Sequence, residues 1–407
     1  MRYRDEIITT SIIIILILFL RMINVFQFES GFVNSFIMLL TIIIFSFIVT
    51  KIQHNIDKNY RNQKKFYQNL DILKYFSAIL IIILHLRPFH NFSRELDLAF
   101  NNIITRICVP VFFLITGYFI AKKETNNTNY IDTYIKKTIP LYLTWSFIYI
   151  IFILCIIIPL IPSFLYFADS INIPIPLFII GIIILLPIVL IIAILYTGVF
   201  YHLWYFPAVI FSLMVLRRWK KNHKIKHLLI ISFILLLFGA TETYYGILPL
   251  SVKELLSFYY NIFFTTRNFL FFGLFYIVFG YFIGTKENLY SRNCLIKLIF
   301  TFSLLIFEAI LLHDTDRLNS NILLSCVPLT YYLFISTIYI SNHLKIKFPF
   351  GTLSKYYYLI HPMIIFIISF KFKDIYNQPY LNIAIILIFT HIISELIIRL
   401  KNIKNNT

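Results

Sequence analysis

The sequence predicts an all-α, polytopic integral membrane protein with about twelve transmembrane helices. Of its 407 residues, 59% are hydrophobic and only 13% are charged, whereas a soluble domain is about a quarter charged. The apolar residues fall in runs about 20 residues long, which is the length that crosses a bilayer as a helix. Because a spanning chain must satisfy its backbone hydrogen bonds internally, these runs predict helices. An ordinary water-soluble globule is excluded.

The runs begin near the N-terminus and continue almost to the end of the chain. Two spans, at about 6–26 and 32–50, form a predicted N-terminal extension, residues 1–50. The basic segment 51–69 is expected to be a cytoplasmic linker. Ten further spans form the predicted body of the protein, residues 70–401. They are placed at 71–87, 103–121, 137–160, 203–217, 227–246, 268–284, 293–312, 322–341, 353–370 and 380–399.

One further apolar stretch, Pro176 to Phe200, is also long enough to cross a bilayer. With an inside N-terminus and about twelve spans, 26 of the 36 basic residues fall in cytoplasmic segments. An additional span would move the RRWKKNHKIK run that begins at Arg217 to the outside. We therefore expect this stretch, which contains Pro187, to be a re-entrant or interfacial segment on the outer side. A full thirteenth span is the alternative.

The charge distribution bears on location and partners. A net charge of +18 would indicate nucleic-acid binding in a soluble chain, but in a membrane protein it is typical of Lys and Arg in cytoplasmic loops. We expect a multi-pass protein of the cell membrane with a cytoplasmic N-terminus, in contact with membrane lipid and with no nucleic acid. The first apolar run lacks a small-residue cleavage site, so a cleaved signal peptide is not expected. The four cysteines show no CxxC spacing, which disfavours a disulfide framework or a zinc site.

The first body helix, LDILKYFSAILIIILHLRPFH, carries Lys74 at its cytoplasmic end and His85 in its outer half. Eleven residues separate the two side chains by about 16 Å and about three turns, which places them on one face. A histidine accepts and returns a proton near neutral pH, as a general base must. The alternative is a histidine that is hydrogen-bonded to a neighbouring helix.

Further polar side chains occur at membrane depth, where an ionisable group costs about 2.5–3.5 kcal/mol and usually faces a cavity or the protein interior. Arg106 lies at the outer end of the second body helix. The alternative to a functional role is that its side chain extends to the outer membrane interface. Gly117, further along that helix, is a position where another helix can approach closely. Glu308 lies in an apolar helix, and Arg267 is a plausible ion-pair partner for it.

The predicted topology brings polar residues from distant parts of the chain to the outer half of the membrane. Trp204 alone is typical of an interfacial anchor, and His313 alone is typical of a loop, but their convergence with the other side chains indicates a site. His361 is expected near mid-membrane, followed by Pro362, where a helix can kink and expose a carbonyl. The outer set consists of His85, Arg106, His202, Trp204, Arg267, Glu308 and His313. The chain contains no GxSxG, Walker, dinucleotide-binding or HExxH motif, which disfavours standard soluble nucleotide chemistry.

Four segments of the chain resemble the membrane acyltransferase-3 family: the LDxLKxxA opening that leads to His85, VPVFFLITGYFI, YHLWYFP and YLIHP. The resemblance extends from about Leu70 to Leu400. Members of this family move an acyl group, often acetyl from acetyl-CoA, to sugars, lipids or other envelope acceptors. The family's opening signature pairs an arginine with the histidine that matches His85. Lys74 stands at the arginine position, where it keeps the charge and lacks the planar fork.

Within the family, the segments YHLWYFPA, TRN and FEAILLH are most similar to the membrane domain of vancomycin-resistance serine racemases. That domain is associated with supplying serine rather than with acyl transfer. The resemblance therefore leaves two functions open for this chain, an acyltransferase and a carrier.

In the first, the protein is an O-acyltransferase that moves an acyl group, expected to be acetyl, from acyl-CoA to an envelope sugar or glycolipid, with no metal. His85 would be catalytic, Lys74 would meet the CoA phosphates, and Arg106 would orient His85 or the acceptor, or stabilise developing negative charge. In the second, the cavity binds a small zwitterion such as serine, its carboxylate on Arg106 or Arg267 and its ammonium on Glu308, and the protein transports it. We favour the enzyme. The remaining residues expected to bind substrate are His202, Trp204, His313 and His361.

Overall fold

The computed structural model describes residues 32–62, 65–170, 174–287, 291–313, 320–340, 348–372 and 378–406, together with Ile14, Leu289 and Thr315. Every regular element in these ranges is helical, which confirms the predicted all-α class. By length and composition, eight helical segments of this part of the chain can cross a membrane. The helices are α1 (Phe32–Arg61), α2 (Gln68–Leu86), α3 (Cys108–Glu124), α4 (Tyr130–Ile157), α5 (Ile161–Ser170), α6 (Ile175–Ile192), α7 (Tyr205–Trp219), α8 (Ile225–Tyr244), α9 (Leu250–Phe263), α10 (Leu274–Gly284), α11 (Cys294–Leu311), α12 (Cys326–Tyr339), α13 (Phe350–Lys371) and α14 (Pro379–Asn406).

The predicted span 6–26 lies outside the described residues, apart from Ile14, whereas the predicted span 32–50 is the first part of α1. The helix does not stop where the linker was expected, because Gln53, Ile56 and Asn59 are spaced three apart and are buried on one face. Gln53 accepts the backbone N–H of Leu295, and Asn59 donates to the carbonyl of Tyr339. The first half of the predicted linker is therefore helical and packed against α11 and α12.

Ion pairs define one end of the bundle. Arg217, at the end of α7, pairs with Asp132 at the start of α4, and Lys220 pairs with Glu124 at the end of α3. We call this end the basic end. Because α4 begins there and α7 finishes there, α5 and α6 make no net crossing between them. The structure thus keeps the Arg217 run on the same side as the loop between α3 and α4, as the positive-inside argument required.

Helix α6 is longer and more regular than the expected re-entrant segment. It runs without a break through Pro187, and a π-helical turn, Ala193–Thr197, continues it. None of its residues is buried, and the segment Ile175–Thr197 is long and apolar enough to span. The Tyr142 hydroxyl donates to the Ile194 carbonyl at 2.7 Å, so α6 finishes beside the middle of α4. Proline removes one backbone donor, but the remaining hydrogen bonds keep an apolar segment helical where no water competes for them.

The core is built around close contact between α3 and α10. A Cβ atom added to Gly117 would lie 2.1 Å from the Ile277 carbonyl oxygen, and one added to Gly280 would lie 2.0 Å from the Leu114 carbonyl oxygen. Only glycine allows two backbones to approach this closely. The close approach predicted at Gly117 is confirmed, and it fixes the helix whose N-terminal lead-in carries Arg106.

Candidate functional site

Three histidines from three separate elements meet in the interior at the end of the bundle away from the basic end. His85 comes from the last turn of α2, His202 from the turn before α7, and His361 from the middle of α13. The His85 and His361 rings are nearly parallel, with centroids 5.6 Å apart, and the His202 ring lies 5.8 Å from that of His361. Neighbouring imidazoles of this kind can accept or pass a proton.

Hydrogen bonding distinguishes the ring nitrogens of His361. Its Nδ1 lies 2.8 Å from the Tyr357 carbonyl oxygen, one helical turn back, and therefore carries the proton. In the neutral ring Nε2 then holds a lone pair, and this atom is buried with no partner among the described residues. Both ring nitrogens of His202 are likewise buried without a partner in the described chain. Unpaired buried nitrogens gathered at one place indicate a ligand site.

Two arginines border the same region. The Arg106 Nε donates to the Asn101 carbonyl at 2.6 Å, which holds the side chain on the short helical lead-in to α3. Arg267 follows α9, and its guanidinium lies 5.1 Å from the centroid of the Trp204 ring. Trp204 is 6% exposed, so it makes a cation–π contact with Arg267 here rather than serving as an interfacial anchor.

These side chains line a cavity of about 50 Å³, which is room for a few water-sized groups. His85, Arg106, His202, Trp204 and Arg267 all contribute to its wall. His85 also lines a second, wider cavity of about 490 Å³, formed with the turn that follows α2 and the start of α14. We call the first the polar cavity and the second the vestibule. His85 thus stands between a buried polar compartment and a space large enough for a small molecule.

Glu308 and His313 do not line the polar cavity. Glu308 is buried and accepts the backbone N–H groups of Leu324 and Ser325, at 2.7 and 2.8 Å, and the hydroxyl of Tyr244. The carboxylate therefore caps the start of α12, where a negative charge stabilises the helix. His313 accepts a hydrogen bond from Arg94 at 3.2 Å in the loop after α11. The ion pair expected between Glu308 and Arg267 is not formed.

Lys74 lies away from the cavity, near the basic end. Its ammonium pairs with Asp71 at 2.6 Å and lies 6.0 Å from the centroid of the Phe119 ring. Nearby, Lys122 lies 5.7 Å from the ring of Tyr118. The structure therefore separates Lys74 from His85 along α2, as the predicted eleven-residue spacing requires.

Three residues of this region were missed by the sequence analysis. Glu242, 2% exposed, accepts from the backbone and side chain of Thr266 and from the Thr265 hydroxyl, and so holds the loop that carries Arg267. It stands in the otherwise apolar helix α8, and the rule that selected Glu308 would also have selected it. Tyr358 and Asn321 line the cavity, but nothing in their local sequence distinguishes them from other polar residues.

A metal centre is not apparent in the described ranges. No group of three or more His, Cys, Asp or Glu side chains there is arranged to hold a metal ion. The described wall of the polar cavity carries imidazole and guanidinium groups, an indole ring, and hydroxyl and amide groups.

Comparison with known proteins gives a consistent picture of relatedness. A family model described as an acyltransferase domain matches residues 67–399. An amino-acid racemase of Enterococcus faecalis is 30% identical over 280 residues, which is 66% of this chain and 35% of the relative. A second amino-acid racemase of that organism is 26% identical over 346 residues, 82% of this chain and 46% of the relative.

A serine/alanine racemase of Enterococcus gallinarum is 26% identical over 337 residues, 79% of this chain and 45% of the relative. This chain spans less than half the length of each of these curated relatives. No solved structure matches the chain. The matches confirm the family resemblance that was inferred from the four sequence segments.

Proposed function

The chain belongs to the acyltransferase-3 family, and we propose that it is a membrane O-acyltransferase in which His85 is the catalytic base or acyl relay. The observation that carries the proposal is the position of His85, which lines both the polar cavity and the vestibule. An acceptor that enters the vestibule can present a hydroxyl to His85. Arg106, which lines the polar cavity, then lies where negative charge would develop.

The acyl donor proposed is acyl-CoA, with acetyl as the acyl group. Its phosphates would bind at the basic end, where Lys74 and Lys122 lie over an aromatic group made of Tyr67, Tyr118 and Phe119. Burial and the neighbouring Lys122 ammonium lower the pKa of Lys65, which places those two cations close together. Lys74 and Lys122 each lie over one of the rings. Such a cluster can hold phosphates by charge-assisted hydrogen bonds and stack a purine.

The distance between this cluster and His85 fits a donor with an extended arm. Eleven residues of α2 separate Lys74 from His85, about 16 Å along the helix axis. A donor whose phosphates stay at the basic end would need a long, narrow linker to bring a thioester to His85. The pantetheine arm of CoA is such a linker.

In the proposed reaction His85 removes the proton from the acceptor hydroxyl as the oxygen attacks the thioester carbonyl. A tetrahedral oxyanion forms, and the Arg106 guanidinium group stabilises it. The carbon–sulfur bond then breaks, and the departing thiolate takes the proton from His85. The ester remains on the acceptor, which we propose to be a sugar or glycolipid of the cell envelope, and the N-terminus is proposed to be cytoplasmic.

The carrier alternative requires an anchor for the ammonium of a zwitterion such as serine. Glu308, which the sequence suggested for this purpose, is already bonded to the start of α12, and no carboxylate lines the polar cavity among the described residues. The structure thus gives a carboxylate partner for serine but no ammonium partner. This favours the enzyme.

The proposal is tested by His85→Gln with His227→Gln as the matched control, because His227 is an exposed histidine on α8 at the basic end. In cells that express each variant, incorporation of labelled acetyl groups from acetyl-CoA into envelope material is measured together with protein abundance. His85→Gln should lower turnover at least about 100-fold, the scale of a lost general base, with abundance unchanged. His227→Gln should behave as wild type.

A folded His85→Gln protein that retains most of its transferase activity would overturn the role of His85. The carrier is tested separately on purified protein, since a ligand that binds only the folded state raises its thermal stability. Stabilisation by serine together with none by acetyl-CoA would overturn the enzyme in favour of the carrier.

A further inference from the structure

Among the described residues, Arg267 is a half-buried cation that pairs with no acid. It forms no ion pair with any residue of the described chain, and its Nε is buried with no hydrogen-bond acceptor there. Its guanidinium lies 5.1 Å from the centroid of the Trp204 ring. The ring holds the guanidinium plane but does not neutralise its charge.

The nearest carboxylate does not fill this role. Glu242 is bonded to Thr265 and Thr266, on the residues immediately before Arg267, and Asn321 lies 3.5 Å from one of its oxygens. Those contacts use the carboxylate to hold the loop. Among the described residues, the wall of the cavity that Arg267 lines contains a second arginine, Arg106, and no acid.

An uncompensated charge in a low-dielectric interior is costly, and an anion that enters the cavity removes that cost. A guanidinium has a planar fork that matches the two oxygens of a carboxylate or of a phosphate. Because the guanidinium already lies against the Trp204 ring, less side-chain freedom is lost when an anion binds. The ligand chemistry that this wall selects is a planar or tetrahedral oxyanion.

The route of entry indicates which substrate carries the anion. The vestibule meets the polar cavity at His85, at the end of the bundle opposite the lysine cluster of the basic end. A donor held by that lysine cluster has its phosphates too far away to reach Arg267. An anion bound at Arg267 therefore belongs to the acceptor, which in the proposed function enters the vestibule at this same end of the bundle.

We infer that the acyl acceptor carries a carboxylate or phosphate group, and that Arg267 binds this group in the polar cavity beside His85. The inference rests on the proposed function for the identity of the acceptor, but the anion site itself does not. It narrows the acceptor from any envelope hydroxyl compound to an acidic one, such as an acidic sugar, a hydroxy acid or a phosphorylated lipid headgroup.

The experiment uses the purified full-length chain and three small probes: glycolate, its neutral isostere glycolamide, and inorganic phosphate. Thermal stability is titrated with each probe. Glycolate should stabilise the protein in a saturable manner and glycolamide should not, since the two differ chiefly in charge. Phosphate separates the sources of the anion: stronger stabilisation by phosphate than by glycolate assigns a phosphorylated acceptor, and the reverse assigns a carboxylated one.

The variants are Arg267→Gln, Arg267→Lys and the control Arg399→Gln, whose side chain is 75% exposed on α14. Arg267→Gln should weaken binding of the better anion at least about tenfold, the scale of one lost charge-assisted hydrogen bond. Arg267→Lys should fall between it and wild type, because the charge remains and the fork is lost. Arg399→Gln should bind as wild type. If Arg267→Gln fails to fold, the lysine variant still reports the loss of the fork.

Equal stabilisation by glycolate and glycolamide, or anion binding that is unchanged in both Arg267 variants, would overturn the inference. A loss of acetyl-CoA binding in Arg267→Gln as large as the loss of anion binding would also overturn it, because the anion would then belong to the donor. Failure of the proposed function is distinguishable: anion binding that depends on Arg267, in a protein without acetyl transfer, would refute the enzyme and leave the anion site.

Discussion

The role of Glu308 can be settled by one substitution, Glu308→Gln. In the structure this carboxylate accepts the N–H groups of Leu324 and Ser325 and the hydroxyl of Tyr244. Glutamine keeps the shape and one accepting oxygen, but its NH₂ group would face a backbone N–H. At least one buried donor at the start of α12 therefore loses its acceptor, which costs about 1–3 kcal/mol.

That cost converts into a measurable shift of the melting temperature. Unfolding entropy is about 2.1 cal/mol/K per residue, so a chain of 407 residues changes by about 0.85 kcal/mol for each degree. The expected decrease in Tm is about 1–4 °C. The assay is thermal unfolding of the purified protein in detergent, followed by intrinsic fluorescence. Glu254→Gln, an exposed acid on α9, is the control and should leave Tm unchanged.

The result that would refute this reasoning is the opposite pattern. If the Glu308→Gln variant has the same Tm as wild type but is no longer stabilised by serine, then Glu308 binds the ammonium of a ligand and its contacts with α12 are incidental. A decrease in Tm with ligand responses intact would establish the cap.

Two further outcomes are expected. Gly280→Ala should lower Tm by about 1–4 °C, because its Cβ would lie 2.0 Å from the Leu114 carbonyl oxygen and overpacking costs about 1–3 kcal/mol. The control Gly181→Ala should leave Tm unchanged, because a Cβ added there meets no atom within 4 Å. Equal Tm values for the two variants would contradict the α3–α10 contact. In a cysteine-free background, Asn91→Cys should react with a membrane-impermeant thiol reagent in intact cells, and Asn222→Cys should not. Both positions are exposed, but they lie at opposite ends of the bundle. The reverse labelling pattern would invert the proposed orientation.

The level of each polar residue along its helix was predictable from the sequence, and residues at similar levels make up most of the site. The position of a residue relative to the ends of its apolar run fixes its level in the bilayer, because a helix rises about 1.5 Å per residue. Five residues expected in the outer half of the membrane line one cavity, namely His85, Arg106, His202, Trp204 and Arg267, and the ring of His361, which was expected near mid-membrane, lies 5.6 Å from that of His85.

Lateral neighbours were not predictable, because hydropathy does not state which helix lies beside which. Glu308 and Arg267 were expected at the same level, but α11 packs so that Glu308 meets the start of α12. Glu242, on α8, is the acid whose charge acts on Arg267. Its carboxylate accepts hydrogen bonds from Thr265 and Thr266, the two residues before Arg267. The sequence analysis selected one buried acid, Glu308, and missed Glu242, the acid that holds the loop.

The structure also shows why this site forms where it does. Helices α7 and α10 have only 15 and 11 residues, fewer than the roughly 20 that a full crossing needs. The chain just before α7, and the chain just before the π-helical turn Phe269–Gly273 that leads into α10, are non-helical at membrane depth, which is tolerated only where the backbone is buried in protein or lines a cavity. His202 precedes α7 in one such stretch, and Arg267 precedes α10 in the other.

The polar residues of the second stretch also satisfy its backbone. The Asn268 side chain accepts the N–H groups of Leu270 and Phe271, and Glu242 accepts that of Thr266. The loop that presents Arg267 can exist inside the membrane because these side chains replace the hydrogen bonds a helix would have made. A short apolar helix preceded by a polar turn is thus a stronger sign of the site in this sequence than any single histidine or arginine, because the turn requires the same buried polar residues that position the binding groups.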